Sequence, residues 1–391
     1  MHYLTIIQKT FQKIIHAKRL ATLKLMVHAT FMSQSLTVTQ LGRALSYKQS
    51  ERNGIRKADR FLSNKKLHDE YPLICKKLCS NLIQDTSHPF IIVDWTKVPH
   101  KKFHVIRASL AAPGRAITLY EEVHEEKYLG SQKVHKKFIQ SLKEILPFNC
   151  KPIIITDAGF EISWFKLVLK QNWNYIGRVR GHKYYSINDI WHKCYDLHNS
   201  ITSAPSFIGE IKLTKKHSFE TNMYAIKNTP KGRHAFNKAG NISKDSKSKS
   251  KSKAAKEPLV IVTSLLHKTS TPKKAIKIYQ TRMTIEEGFR DLKSTKYGFG
   301  FEHMMSYKPK RILMLLLIAM IASFIAYITG MIAEKHNIHY LFQANTIKHR
   351  RVLSFFYLGR RIIKKRFLQK SNLLIEQNFY KLSSNMLLEN I

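Results

Sequence analysis

Residues 90–95 read FIIVDW, a compact apolar run that ends on Asp94 and a tryptophan. A short continuous apolar run of this kind is typical of a strand buried on both faces of a sheet. Residues 152–160 read PIIITDAGF and repeat the pattern, with Asp157 at the end of the run. In open α/β sheets, chemistry collects at the carboxyl ends of the strands. If these two strands are neighbours, the two carboxylates converge.

The segments around the two runs predict a mixed α/β fold. KKFHVIRASLAA (101–112) and GRAITLYEEVH (114–124) look like two strands that meet at a Pro113-Gly114 turn. Residues 130–147 have the spacing of an amphipathic helix, a second helix follows Asp157, and 174–181 form another strand. The order of strand, strand, strand, helix, strand, helix and strand predicts a mixed sheet covered on both faces.

The overall charge indicates a partner that is a polyanion. The 391 residues include 67 Lys and Arg against 26 Asp and Glu, a formal net charge of +41. Because 43% of the residues are apolar, the chain is not a disordered basic tail, and its composition excludes collagen-like and disulfide-scaffold proteins. Nucleic acid is the commonest partner of such a surface, with an anionic membrane second.

The first 85 residues predict a helical N-terminal DNA-binding domain. The segment NGIRKADRFLSNKKLH (53–68) brings Arg56, Lys57 and Arg60 close together on one helix. These cations form either a solvated basic face or a DNA contact of the helix-turn-helix kind, and the net charge favours the DNA contact.

The four cysteines are too few and too scattered for a disulfide framework or a zinc site. Cys75 and Cys79 lie one helical turn apart, which predicts a buried helix face. Such cysteine usage fits a reducing compartment, and the N-terminus does not resemble a signal peptide. We therefore expect a cytoplasmic, nucleoid-associated protein.

Two segments in the second half of the chain stand out by composition. Residues 243–256 are a Lys/Ser-rich loop within a less regular region, about 182–257, that has scattered strand signals. Residues 312–332 carry no charge and are long enough to span a bilayer. The alternative for this apolar segment is a helix buried on all sides. The rest of the chain favours the buried helix, so we expect no membrane partner.

A third acid lies on a helix predicted to begin at Thr271. At about 100° per residue, Tyr279, Arg282, Glu286 and Lys293 fall in one narrow stripe, whereas Glu287 and Asp291 point away from it. The stripe is either a surface ion-pair face or part of an active site. Three carboxylates with no nearby His or Cys suit Mg²⁺ or Mn²⁺ better than Zn²⁺, and cations beside them could hold a phosphate.

The spacing Tyr279-x2-Arg282-x3-Glu286-x6-Lys293 resembles the signature of the bacterial insertion-sequence transposases called the YREK family, which have a DDE active site. The resemblance covers nearly the whole chain, and it extends to six further motifs: VDWTKV, GRAITLYEEVH, TDAGF, RVRG, AKEP and FQANTIKHRRVLS. It implies a ribonuclease-H-like mixed-sheet catalytic core over 86–300 with a β-rich insertion. A helical C-terminal region, 301–391, would serve packing, dimerisation or DNA contact.

The same resemblance implies the chemistry and the partners. Asp94, Asp157 and Glu286 would be the catalytic residues and would hold two Mg²⁺ ions, with Mn²⁺ able to substitute. Arg178 and Arg180 would contact transposon-end DNA, beside the helix residues Tyr279, Arg282 and Lys293. The partners would be double-stranded DNA with terminal inverted repeats, target DNA and a second copy of the chain. Relatives often carry Trp where this chain has Leu259, so no base-stacking residue is assigned there.

Two other functions fit parts of the sequence. A DNA-binding repressor or an inactive transposase relative would need only the helical N-terminus and the net charge. A membrane protein anchored by 312–332 would make the two strand-end aspartates coincidental.

Overall fold

The computed structural model describes residues 2–45, 50–84, 86–216, 218–227, 241–243, 245–246, 257–268, 271–344 and 346–365. Their contacts divide the chain into two compact units. The first unit comprises residues 1–150 and 283–390, and the second comprises residues 151–282. This division cuts inside the predicted core segment 86–300. The functional division at 1–85, 86–300 and 301–391 therefore stays a prediction.

The helices and strands follow one another in an α/β order. The helices are α1 (His2–Phe11), α2 (Ala17–Ser33), α3 (Val38–Ala44), α4 (Glu51–Leu62), α5 (Lys65–Ile83), α6 (Gln132–Ile145), α7 (Ile162–Leu169), α8 (Pro272–Gln280), α9 (Met283–Lys293), α10 (Pro309–Lys335) and α11 (Phe355–Lys364). The strands are β1 (Phe90–Lys97), β2 (Phe103–Ala112), β3 (Arg115–Glu125), β4 (Ile153–Thr156), β5 (Asn174–Val179), β6 (Tyr184–Ile187), β7 (Ile190–Lys193), β8 (Ser206–Leu213), β9 (Phe219–Ile226) and β10 (Leu259–Thr263).

The first unit begins with five helices, within the segment 1–85 that the sequence predicts to be helical. Thr37, Ser50 and Asn64 cap the starts of α3, α4 and α5, because each side-chain oxygen accepts a backbone N–H three residues later. Cys75 and Cys79 are fully buried on α5, which confirms their predicted packing role. Helices α3 and α4 cross at two glycines. A Cβ on Gly54 would lie 2.2 Å from the carbonyl oxygen of Gly42, so only glycine permits this approach.

Strands β1, β2 and β3 form an antiparallel meander in the first unit. β2 pairs with β1 on one side and with β3 on the other. The predicted turn joins β2 to β3, and Gly114 adopts φ +71°, which an L side chain rarely tolerates. Most apolar residues of these strands are buried, among them Ile91, Ile92 and Val93 of the run FIIV.

Helix α10 forms the core of the first unit. It packs against α2, β3 and α11, and its most apolar 18 residues have a mean hydropathy of 2.6 and are 89% buried. Within the described residues, it is the one helix long and apolar enough to cross a membrane. Its burial is that of the predicted core helix, and the absence of a membrane partner stays a prediction.

The second unit carries the strands of the predicted insertion. Strand β4 runs parallel to β5, and the remaining strands add antiparallel in the order β10, β9, β8, β6 and β7. The strand signals SFIGEIKLT and TNMYAIK in the sequence correspond to β8 and β9, whereas β6 and β7 carry no such signal. Most of the Lys/Ser-rich segment 243–256 lies outside the described residues. Three antiparallel strands, a helix, a strand, a helix and a strand give the order of the predicted ribonuclease-H-like core.

Candidate active site

Asp94 lies on β1 in the first unit, where the buried part of the strand gives way to solvent. Its side chain is half-buried, and Oδ1 accepts a hydrogen bond from the N–H of Trp95 (2.8 Å). The Trp95 indole N–H in turn donates to Nε2 of His135 on α6 (3.1 Å). Burial and the nearby His124 lower the pKa of His135 to about 4, so the imidazole is neutral and can accept this bond.

Glu286 is exposed in the first turn of α9, which packs against all three strands of the meander. The Nζ of Lys293, on the same helix, donates to Oγ1 of Thr96 (2.6 Å). Lys293 follows Glu286 by two helical turns and shares its face, and Thr96 follows Asp94 by two strand positions and shares its face. Hence the helix face that carries Glu286 is turned toward the strand face that carries Asp94.

The neighbouring acids on α9 have structural roles, as their predicted direction indicates. Asp291 is buried and forms an ion pair with Arg115 of β3 (2.6 Å). Burial raises the pKa of Asp291, and Arg115 works against that rise. Glu287 pairs with Arg290 on the same helix. The Asp291–Arg115 pair fastens α9 to β3.

A buried charged pair that the sequence analysis did not identify lies beside Asp94. Arg107 of β2 stands directly opposite Asp94 on one side and directly opposite Glu121 of β3 on the other. Arg107 is 4% exposed and Glu121 is 1% exposed, and their side chains bond at 2.7 Å. The available signal was an arginine and a glutamate, each directly after two apolar residues of its strand.

Asp157 follows β4 directly in the second unit. It is half-buried, and its Oδ1 accepts the N–H of Gly159 (2.7 Å), which turns the chain away from the sheet. Asp157 thus lies at the carboxyl end of its strand, as the sequence predicts.

Three predicted DNA contacts gather near Asp157. Tyr279 is 5% exposed, and burial raises its pKa, whereas the charges of Arg282 and Arg178 lower it and that of Asp157 raises it. These four side chains therefore form one electrostatic cluster within the second unit. The Nε of Arg178 is buried without a hydrogen-bond partner in the described part of the chain. Arg180, the residue directly after the end of β5, is exposed.

The single long helix predicted after Thr271 is wrong. The structure has two helices, because the N–H groups of Thr281 and Arg282 bond to carbonyls three residues back rather than four. The Thr281 hydroxyl also donates to the Ile278 carbonyl (2.7 Å), which helps to end α8. Consequently Tyr279 and Arg282 belong to the second unit, whereas Glu286 and Lys293 belong to the first.

The donor set fits a hard divalent cation. Asp94, Asp157 and Glu286 offer carboxylate oxygens, which Mg²⁺ and Mn²⁺ prefer. Over the ranges that the structure describes, no three His, Cys, Asp or Glu side chains are grouped closely enough to hold a metal ion. Two of the three acids lie in the first unit and one in the second, so their convergence stays a prediction.

The basic residues predicted on the N-terminal helices line a groove or lie near it. A groove of about 550 Å³ between α2 and α4 is lined by Lys57 and Arg60, together with Lys18, Arg19, Asn53 and Asn64. Arg56 is exposed on the same helix. This surface combines cations with amides, the groups that contact phosphates and base edges in DNA complexes.

Comparison with known proteins gives one family. Residues 85–325 match the family model described as Transposase DDE domain. Among solved structures, the chain is similar to one described as a cryo-EM structure of piggyBac transposase synaptic complex with hairpin DNA. The identity is 13%, the TM-score is 0.43, and the match covers 100% of this chain and 82% of that one. This likeness is too distant to support an inference. No curated protein matches the chain significantly.

Proposed function

The chain belongs to the transposase DDE domain family, and from this premise we propose that Asp94, Asp157 and Glu286 form the catalytic triad of a cut-and-paste DNA transposase. Membership makes the chain a DDE-type transposase, an enzyme of DNA transposition and recombination. The assignment of the three acids, the ions they hold and the course of the reaction are the parts that we propose.

The bond between Lys293 and Thr96 is the observation that carries the proposal. It turns the helix face of Glu286 toward the strand face of Asp94. The other two acids on α9, Glu287 and Asp291, are held in ion pairs that point elsewhere. Of the acids on this helix, Glu286 is thus the one on the face turned toward Asp94, and Asp157 would complete the set from the end of β4.

Two Mg²⁺ ions bound by these carboxylates, with Mn²⁺ able to substitute, would activate an attacking oxygen and stabilise charge on the attacked phosphate. Arg178 would place its unpaired Nε on a phosphate oxygen, and Arg282 would act beside it. Tyr279 would donate a hydrogen bond from its hydroxyl to the same phosphate group, because burial raises its pKa and keeps the hydroxyl protonated. Lys293 and Arg180 would hold the DNA strand on either side.

We further propose the order of strand breakage that the YREK group implies. A water oxygen attacks at the transposon end and frees a 3′-hydroxyl. That hydroxyl attacks the opposite strand and closes a hairpin, which a second water reopens. The restored 3′-hydroxyl then joins target DNA. Within that group, we propose that the chain is similar to the transposase of the tetracycline-resistance composite transposon.

We propose that the DNA binds to the N-terminal helices. Arg56, Lys57 and Arg60 would bind terminal inverted repeats. The C-terminal segment 301–391, of which residues 366–391 lie outside the described part of the chain, would support packing, dimerisation or DNA contact. A homodimer would hold the paired ends. We expect the enzyme to act in the cytoplasm, on the nucleoid.

The test uses full-length protein and a DNA end made from the inverted repeats that flank its coding region. Asp94→Asn, Asp157→Asn and Glu286→Gln should each reduce cleavage in Mg²⁺ at least about 1,000-fold, or about 4 kcal/mol. End binding should stay within about threefold of wild type, because no phosphate contact is lost. Glu287→Gln, next to Glu286, is the matched control and should cleave. Cleavage that survives in any triad variant rejects the assignment, and end binding by a wild type that never cleaves favours a repressor.

A further inference from the structure

The buried pair Arg107–Glu121 lies at the point where the strand of Asp94 meets the helix of Glu286. Arg107 and Asp94 are directly opposite each other in the antiparallel ladder, so their side chains leave the same face of the sheet. On that face the Arg107 guanidinium lies over the ring of Phe289, 4.6 Å from its centroid. Phe289 is one helical turn from Glu286. Arg107 therefore pairs with Asp94 across the sheet and contacts α9, the helix that carries Glu286.

The helix approaches Arg107 closely. A Cβ on Gly288 would lie 3.9 Å from Nη1 of Arg107 and 3.6 Å from the carbonyl oxygen of Ala116. A methyl group at this position would therefore meet the guanidinium at an ordinary contact distance. Arg107 and the ring of Phe289 thus lie in the contact between α9 and the sheet.

Glu121 fixes the arginine from the far side. Its Oε1 accepts both Nε and Nη2 of Arg107 at 2.7 Å. The backbone of Glu121 is held in turn by Tyr71 of α5, whose hydroxyl accepts its N–H (3.0 Å) and donates to its carbonyl (3.1 Å). A buried, planar guanidinium that makes two hydrogen bonds to one carboxylate is held in one orientation, which a lysine or an aliphatic residue would not reproduce.

Burial of such a pair is weak evidence for a stabilising role. Two well-packed apolar residues usually serve stability at least as well as a buried ion pair does. The pair is also one of the few charged groups buried in the three-stranded meander. Its presence beside Asp94 is therefore better explained by a role that apolar residues cannot fill.

We propose that Arg107, held by Glu121, is a positioning residue that fixes the separation of the Asp94 and Glu286 carboxylates for metal binding. The inference rests on the proposed function, since it assumes that these two acids share metal ions. Arg107 does not touch the DNA or the metal. It acts through the packing of β1, β2 and α9.

The test compares full-length wild type with Arg107→Met/Glu121→Gln, which removes both charges and leaves neither unpaired. Lys212→Gln/Asp189→Asn is the control, because it removes an exposed ion pair that joins β8 to the turn between β6 and β7 in the second unit. Mn²⁺ binding is measured by electron paramagnetic resonance, and cleavage of the flanking inverted-repeat end is measured over a range of Mg²⁺ concentrations. Melting temperature and end affinity are recorded for each protein.

The Arg107 pair variant should bind Mn²⁺ about tenfold more weakly and need about tenfold more Mg²⁺ for half-maximal cleavage. Its end affinity should stay within about threefold of wild type, and the control should match wild type throughout. Arg107→Lys should lie between the two. A folded pair variant with wild-type Mn²⁺ affinity overturns the proposal. If the pair variant does not fold, wild-type Mn²⁺ affinity in Arg107→Lys overturns it.

Failure of the proposed function gives a different pattern. In that case wild type itself shows no metal-dependent cleavage of the DNA end. The positioning role is judged from the ratio of variant to wild type, and the function is judged from wild type alone.

Discussion

The indole N–H of Trp95, the residue after Asp94, donates a hydrogen bond to Nε2 of His135 at 3.1 Å. The bond requires a neutral imidazole, and burial supplies it by lowering the pKa of His135 to about 4. A pH effect on the strand of Asp94 follows from this contact.

Stability should therefore fall as the pH drops from about 6.5 to about 4. In that window the unfolded chain binds a proton at His135 and the folded chain does not, so acid favours unfolding. The shift corresponds to at most roughly 3 kcal/mol in the free energy of unfolding. His135→Gln keeps an acceptor for Trp95 but cannot titrate, so its urea midpoint should vary less with pH. His192→Gln, at an exposed position, is the control. A variant with the wild-type pH dependence would contradict this assignment.

Lys293→Met should slow DNA cleavage by about 10–100-fold, equivalent to roughly 1.4–2.7 kcal/mol. The substitution removes the cation that is placed beside Asp94 and Glu286. Folding stability should not decrease, because burial already lowers the pKa of Lys293 and a buried charge is costly. Thr96→Val removes only the hydroxyl acceptor, and its cleavage rate should stay closer to wild type. Equal rates for wild type and Lys293→Met would exclude a role for the ammonium group.

Gly54→Ala should destabilise the protein by about 1–3 kcal/mol, since the added Cβ would overlap the Gly42 carbonyl and push α3 from α4. Binding to the transposon end should weaken with it. Gly288→Ala is the matched substitution inside a helix, where the nearest atom lies at an ordinary contact distance of 3.6 Å. It should be neutral or stabilising by up to about 1 kcal/mol from helix propensity. Urea unfolding compares the two, and equal midpoints would show that the α3–α4 crossing tolerates a methyl group.

Removal of the basic side chains on α4 should change the salt dependence of DNA binding. Each phosphate contact contributes about 0.9 to the slope of log affinity against log salt, so Lys57→Ala and Arg60→Ala should each reduce that slope by about one. Lys143→Ala alters an exposed lysine on α6 and should leave the slope unchanged. The slope is measured by fluorescence anisotropy titrations of the labelled DNA end at salt concentrations between about 50 and 200 mM. A slope that is the same in all four proteins would place the DNA elsewhere.

The strand pattern could be predicted because burial leaves a direct trace in the sequence. The runs that end on Asp94 and Asp157 are continuous and apolar, and the structure places both in buried strands. Strands β6 and β7 were not predicted, because each has only four residues and β7 is largely exposed. Neither an alternating pattern nor an apolar run marks them in the sequence.

Parts of the candidate site depend on contacts that no local pattern records. The break after Tyr279 arises from a change in hydrogen-bond partners and a threonine hydroxyl, while the residue spacing still fits one helix. Arg107 and Glu121 pair because of strand register, which is a property of the folded sheet. The sequence analysis named the acids and cations of the site, but not the buried pair beside Asp94.

Helix α10 has a consequence for the chain while it is being made. It is apolar on all sides, and one of the elements that covers it, α11, leaves the ribosome roughly 30 residues later, a delay of a few seconds at about 5–20 residues per second. During that interval the nascent helix presents the same surface as a membrane anchor. We therefore expect chaperones and the membrane-targeting machinery to compete for it until α11 has emerged.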